Sequence, residues 1–302
     1  MDDQAVREHE EQLRSMAVVE PGFLLDCLKP HSTVSACSNP DVSVGFYLIR
    51  CSLDGIREAD FIRLISDLFI QYALPKKDYQ NLRTEDLRKL YRKARSRYTE
   101  ADNAGELGEI ILFALLETER GAPQVINKMS LKTSGQVHVL GLDAIHLGVK
   151  NKEICRYYGE SKTGPNYNAG IGEAVKDISA YYDRPARLQF ELDLISDHID
   201  ISRFGDYTKQ VLDFFDPYTR DQTSIREVNA IFVGFNWDSI LASSAPKIEE
   251  KLEAAIASKS DEICRKCVSK IQDSSIKNRT EFFFIPFENI NLARKAFREE
   301  IG

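Results

Sequence analysis

Residues 139 to 162 constrain this chain more than any other stretch. Val139 to Val149 reads as one strand and Glu153 to Lys162 as the next, with Lys150, Asn151 and Lys152 between them as turn material. A hairpin centred on Asn151 and Lys152 sets Asp143 directly across from Glu160. Lys162, two residues further on, shares the face of Glu160. Like charges directly opposite on a sheet cost roughly 0.2–1 kcal/mol at exposed positions, and more when buried. These strands read as buried, because Leu140, Leu142 and Ala144 line one face and Val139, Ile145, Leu147 and Val149 the other. A buried acid pair of this kind needs a cation. A hard divalent ion such as Mg²⁺, with Mn²⁺ as a substitute, takes oxygen ligands and suits the pair. Lys162 adds a point charge beside it.

A lone Glu-x-Lys triplet is common by chance. The aspartate in register with it and a glutamate on an upstream helix single this one out. The bland alternative is a surface hairpin with a salt bridge from Lys162 to the acids, and the apolar content of both faces argues against it. The upstream helix runs from Ala104 to about Glu119, with Asn103 as its expected N-cap. Glu106 then falls at the third helical position, where a capping-box glutamate belongs, which leaves Glu109 as the functional candidate and Glu106 as the alternative. His146 has the opposite parity to Asp143 and reads as structural unless a bulge intervenes. His138 reads as a strand-edge residue. Ser161 points away from Glu160, and no Ser-His-Asp set surrounds it.

With 302 residues, 43% hydrophobic and 29% charged, the chain has the composition of a globular protein. No apolar run approaches the ~20 residues of a membrane helix. The acidic N-terminus lacks a signal core, so a cytoplasmic location is expected. Six scattered cysteines fit a reducing compartment, and Cys264 with Cys267 reads as two helix cysteines rather than half of a zinc site. The net charge of −7 argues against nucleic-acid binding by the whole surface. A basic cluster of Arg83, Arg88, Lys89, Arg92, Lys93, Arg95 and Arg97 precedes the candidate catalytic helix. It is either a DNA track or a solvated helix face. Lys176 is a weaker candidate for phosphate contact. No phosphate-loop motif occurs, so any ATP-driven motor is expected on a partner.

Along the chain, an acidic helix is expected near the N-terminus, a strand at Gly45 to Cys51, a helix from Arg57 to Ala73 ended by Pro75, and a basic helix from Thr84 to Tyr98. Val125 to Lys132 reads as the first core strand. Helices are expected at Ala169 to Asp183, near 186–196 and 206–215, at Lys247 to Ile271, and at the C-terminus. Val228 to Phe235 and Glu281 to Phe287 read as buried strands. Interleaved helices and strands indicate an α/β fold around a mixed central sheet flanked by helices. The expected division is an N-terminal α/β region with the basic helix, 1–98, and a catalytic core with its C-terminal helices and strands, 99–302. The first region is either a separate lobe or an elaboration of the core.

The helix glutamate, the strand aspartate of Gly141, Leu142 and Asp143, and the triplet Glu160, Ser161 and Lys162 resemble the PD-(D/E)xK nucleases, whose core is restriction-endonuclease-like. The blocks Gly105 to Glu109, Leu142 to Leu147, Tyr158 to Lys162 and Phe282 to Phe287 resemble more closely the HamA C-terminal-like family, which includes the nuclease subunit of the Hachiman anti-phage defence system. The resemblance is specific over residues 104–165 and looser at both ends. It implies a metal-dependent DNA nuclease in which Asp143 and Glu160 hold the metal, Glu109 completes its shell or positions water, and Lys162 orients water or stabilises the transition state. It also implies a helicase partner resembling HamB. Two other readings are a catalytically silent nuclease fold acting as a regulatory or DNA-binding subunit, and a stand-alone structure-specific DNA-repair nuclease.

Overall fold

A computed structural model describes residues 3–34, 39–52, 55–81, 83, 86–98, 105–127, 129, 142–184, 186–216, 218, 225–237, 248–276 and 278–302. The helices are α1 (Asp3–Met16), α2 (Glu58–Asp67), α3 (Phe69–Ala73), α4 (Leu87–Arg95), α5 (Glu106–Arg120), α6 (Tyr167–Tyr182), α7 (Arg187–His198), α8 (Ile201–Phe204), α9 (Thr208–Phe215), α10 (Ile248–Gln272) and α11 (Ile290–Glu300). The strands are β1 (Leu28–Val34), β2 (Val42–Ile49), β3 (Cys51–Ser52), β4 (Gly55–Ile56), β5 (Gln124–Asn127), β6 (Ala144–Lys150), β7 (Glu153–Gly164), β8 (Ile225–Asn236) and β9 (Arg279–Phe287).

Seven strands form one mixed sheet in the order β1-β2-β9-β8-β7-β6-β5. The central strands β7, β8, β9 and β2 run parallel, and β1, β6 and β5 are antiparallel to their neighbours. The parallel strands are buried on both faces, as β9 shows with Phe282, Phe283, Phe284 and Ile285 all buried. One apolar layer packs α2, α3, α5 and α11 against the sheet, and the other packs α1, α6 and α10 against the opposite face. The mixed α/β architecture flanked by helices is therefore as the sequence indicates. Strands β1 and β2, from the N-terminal region, lie in the same sheet as the core strands, because β2 pairs with β9.

The hairpin register is the one that the turn predicts. Lys150 pairs with Glu153 and Ala144 with Gly159. Asn151 and Lys152 both take positive φ, 52° and 65°. That is the pattern of the two-residue type I′ turn, whose twist matches the flanking strands. The expected continuous helix from Arg57 to Ala73 is instead two helices, α2 and α3, broken at Leu68. The strand that begins at Gln124 ends at Asn127. Its expected continuation at Lys128 and 130–132 falls outside the described residues, as do the proposed caps Asn103 and Thr84 and the residues His138 and 139–141. Among the described residues, no helix is long and apolar enough to cross a membrane.

Candidate active site

Two close helix approaches set the site's geometry. On one face, a Cβ at Gly108 of α5 would stand 3.0 Å from Thr163 Cγ2 and 3.2 Å from Ser161 Oγ. On the other, a Cβ at Gly170 of α6 would stand 2.9 Å from Val233 Cγ1 and 3.6 Å from Lys162 Cβ. Glycine at both positions lets the two helices close on the same stretch of β7. The result is a cleft of about 760 Å³ whose lining includes Glu109, Asp143, Glu160, Ser161, Lys162 and Asp177. The four expected catalytic residues thus come together: Glu109 from α5, Asp143 from the start of the β6 segment, and Glu160 and Lys162 from β7.

Asp143, expected within the strand and across from Glu160, instead sits on a bend just before the first ladder pair: its N–H donates at 2.9 Å to the carbonyl of Gly159, the residue already paired with Ala144. Its side chain then accepts from the Ser161 N–H at 2.8 Å and the Ser161 hydroxyl at 2.9 Å, both on Oδ2. The carboxylate takes the place of the next backbone acceptor. Ser161 is therefore a site residue that strand parity had set aside, and its work is to hold Asp143.

Asp143 and Glu160 are 6% and 4% exposed. Burial, joined by the charge of Asp143, pushes the Glu160 carboxyl well above the usual carboxylate range, against the pull of Lys162. Lys162 Nζ donates to Glu160 Oε1 at 2.6 Å and to Asp177 Oδ2 at 2.7 Å. Burial acts downward on this ammonium, but Glu160 and Asp177 outweigh it and raise its pKa. Lys162 thus divides its charge between two carboxylates and offsets the acid pair only in part. Asp177 has no counterpart in the sequence motif.

Glu109 is buried and accepts from the Tyr72 hydroxyl at 2.7 Å. Burial and the Glu109 charge push that phenol well above its ordinary pKa, and Asp143 and Glu106 add to the effect. Tyr72 therefore stays a donor and fixes Glu109. Glu106 is buried too, but it opens α5 rather than occupying its third position, since Gly105 is the N-cap and contributes no side chain. His146 is fully buried with Nδ1 against the Ala122 carbonyl at 2.8 Å, and burial lowers its pKa to about 3. It is a neutral structural histidine, away from the cleft.

The donor set fits a hard divalent cation. Asp143, Glu160 and Glu109 offer oxygens only, and the repulsion of the first two favours a positive occupant. Among the described residues, no three His, Cys, Asp or Glu side chains already stand around one point at ligand distance. Cys264 and Cys267 lie on the buried face of α10, as helix cysteines, but only Cys267 is a free thiol; Cys264 is disulfide-bonded, which the expected reducing setting does not foresee.

Of the basic residues, Arg88, Lys89, Arg92 and Lys93 are exposed on α4, with Lys93 paired to Asp78 at 2.6 Å; Arg95 is half-buried on the same helix. Arg97 turns inward instead, donating to the Ala73 carbonyl at 2.5 Å. Lys176 is exposed on α6 and does not line the cleft. No curated protein gives a significant match to this chain. The family model for HamA matches residues 24–301. That span takes in the sheet from β1 to β9, both helices that close on β7, and every acid in the cleft. The chain belongs to the HamA family.

Proposed function

We propose that this chain is a Mg²⁺-dependent DNA nuclease. Membership of the HamA family suggests a role in Hachiman anti-phage defence together with a partner, and the proposal makes this subunit the effector and a helicase resembling HamB the partner. The observation that carries the reading is the convergence of Asp143, Glu160, Lys162 and Glu109 on one cleft.

Asp143 and Glu160 would hold the metal, with Glu109 as a third oxygen donor. A bound divalent ion supplies activation of water near neutral pH and offsets charge on the phosphate. The chain does the rest. Ser161 fixes one oxygen of Asp143 and with it the orientation of the carboxylate. Tyr72 fixes Glu109. Lys162 holds a proton firmly at Nζ and brings positive charge to where the phosphorane-like transition state gathers negative charge. Asp177 steadies that ammonium from α6. The exposed residues Arg88, Arg92 and Lys93, with Arg95 beside them and Lys176 on α6, would meet DNA phosphates outside the cleft.

The test is incubation with plasmid DNA and Mg²⁺, with and without the helicase, beside Glu160→Ala and Lys162→Ala. Metal-dependent cutting lost in both variants supports the reading. Tight DNA or helicase binding without turnover points to a silent regulatory fold. Full activity without a partner, on branched DNA alone, points to a repair nuclease.

A further inference from the structure

Helix α11 joins the basic face of α4 to the cleft. The junction is aromatic. Phe69 packs against Tyr91, Tyr98 and Phe297 with ring centroids 5.9, 6.2 and 6.5 Å away, and the Tyr91 hydroxyl donates to the Glu300 carbonyl at 3.2 Å. Arg95 of α4 lies with Cζ 4.7 Å above the Tyr98 ring. Burial and Glu106 push the Tyr98 phenol up to about 12, with Arg298 of α11 and Arg95 pulling the other way, and burial together with Arg298 lowers the proton affinity of Arg294, one helical turn away. Arg294 stands on the wall of the cleft. Its Nε donates to Thr163 Oγ1 at 3.0 Å, its Nη2 reaches the Thr163 carbonyl and hydroxyl, and Nη1 approaches Asn291 Oδ1 at 3.4 Å. Thr163 directly follows Lys162. Arg95, Arg298 and Arg294 therefore form a row of guanidiniums from the surface of α4 to the end of β7.

The row contrasts with the cleft. Among the described residues lining the cleft are five carboxylates, Glu109, Asp143, Glu160, Glu173 and Asp177, against the two cations Lys162 and Arg294. A polyanion is repelled from most of that rim and is drawn in along α11. Of the acids next to the row, Glu299 pairs with Lys295 at 3.7 Å and Glu300 with Arg63 at 3.3 Å, while Glu106, also beside Tyr98, is buried and opens α5. We propose that Arg95, Arg298 and Arg294 guide one nucleic-acid strand by its phosphates into the cleft, with Arg294 gripping the phosphate beside Lys162. The ligand class is a phosphodiester backbone, for which the guanidinium's planar fork is suited. An acidic protein surface would also be attracted, but only a polymer that must be delivered to the reacting centre gives a reason for the row to end there. The inference rests on the nuclease reading for the meaning of the cleft.

The test is fluorescence anisotropy of labelled single-stranded and duplex oligonucleotides, in EDTA, over a range of KCl concentrations. Compared with the parent would be Arg294→Gln/Arg298→Gln, Arg294→Lys, and the control Arg226→Gln, which removes an exposed arginine paired with Glu153 at the far end of β7. The double variant is expected to bind at least tenfold more weakly, with the slope of log affinity against log salt smaller by about 2, one per lost phosphate contact. Arg294→Lys keeps the slope and loses a few-fold in affinity. The control matches the parent. Parental affinity and slope in the double variant overturn the track, as does a parent that binds no oligonucleotide, and either result would leave the row to an acidic protein. Cutting by the parent in Mg²⁺ is scored separately. A parent that binds through the row but never cuts defeats the nuclease reading and keeps the track. A parent that cuts, beside a double variant that binds and cuts equally, does the reverse.

Discussion

Ser161 gives both of its donors, N–H at 2.8 Å and hydroxyl at 2.9 Å, to a single oxygen of Asp143. A buried carboxylate held in this way has one oxygen spoken for and its orientation fixed. Ser161→Ala keeps the backbone bond and removes the hydroxyl, so the fold should lose only about 0.5–1.5 kcal/mol. Metal affinity should fall further, by roughly 10–100-fold, as for other groups that orient a ligand. Urea denaturation and calorimetric Mn²⁺ titration read the two effects apart. Unchanged Mn²⁺ affinity would show that Asp143 is positioned without the hydroxyl.

Asp177 shares the Lys162 ammonium with Glu160. Its carboxylate helps to keep that group charged. Asp177→Asn should therefore move the alkaline limb of the cleavage pH profile to lower pH while costing less than about tenfold in rate near pH 7. A profile that superimposes on the parent's would mean that Glu160 alone holds Lys162. Loss as complete as in Lys162→Ala would place Asp177 among the reacting groups.

The Glu160 carboxyl is raised by burial and by Asp143. An acid raised in the folded state favours folding while protonated, below its unfolded value, and loses that contribution as pH rises through the ordinary carboxylate range toward its folded value. The metal-free parent should thus weaken on going from pH 5 to pH 8. Glu160→Gln removes this group's share, and by roughly 1–3 kcal/mol should be the more stable protein at pH 8 in EDTA, the gap closing toward pH 5. Added Mg²⁺ should stabilise the parent and not the variant. Parallel stability curves for the two proteins would contradict the raised carboxyl.

Far from the cleft, the Glu117 carboxylate accepts from Val18 N–H at 2.6 Å, Val19 N–H at 2.9 Å, Gln124 N–H at 3.1 Å and Arg203 Nη1 at 2.8 Å. The side chains of Arg203 and Glu117 are 3% and 0% exposed. Arg203→Leu leaves a buried carboxylate short of its cation and should cost about 3–5 kcal/mol in denaturant unfolding. A cost below about 1 kcal/mol would mean that the three backbone donors suffice.

Much of this was legible because it is local. The turn at Asn151 and Lys152, with period-two alternation on either side, fixes the β6–β7 register from Lys150 and Glu153 to Ala144 and Gly159, and so brings Asp143 and Glu160 to the same end of the hairpin. Strand β1 escaped because Pro30 and the polar residues after it carry little strand signal. It survives as an edge strand with a register shift between Pro30 and Ser32. The break at Leu68 escaped because the apolar period runs on from Phe61 to Phe69. Asp177 looked like any solvated helix acid. Its signal was present, however, since Gly170, Ala174 and Asp177 fall on one stripe of α6, and the glycine marks the side that closes on Lys162. Arg294 meets Thr163 across 131 positions of sequence, which no local pattern can reveal.

The most direct measurement is cleavage of plasmid DNA by the purified chain and its helicase partner, with Mg²⁺ or EDTA, for the parent, Glu160→Ala and Lys162→Ala. Cutting should require Mg²⁺ and fall by at least about a hundredfold in both variants. Cutting that persists in the variants at the parent's rate would contradict the proposed active site.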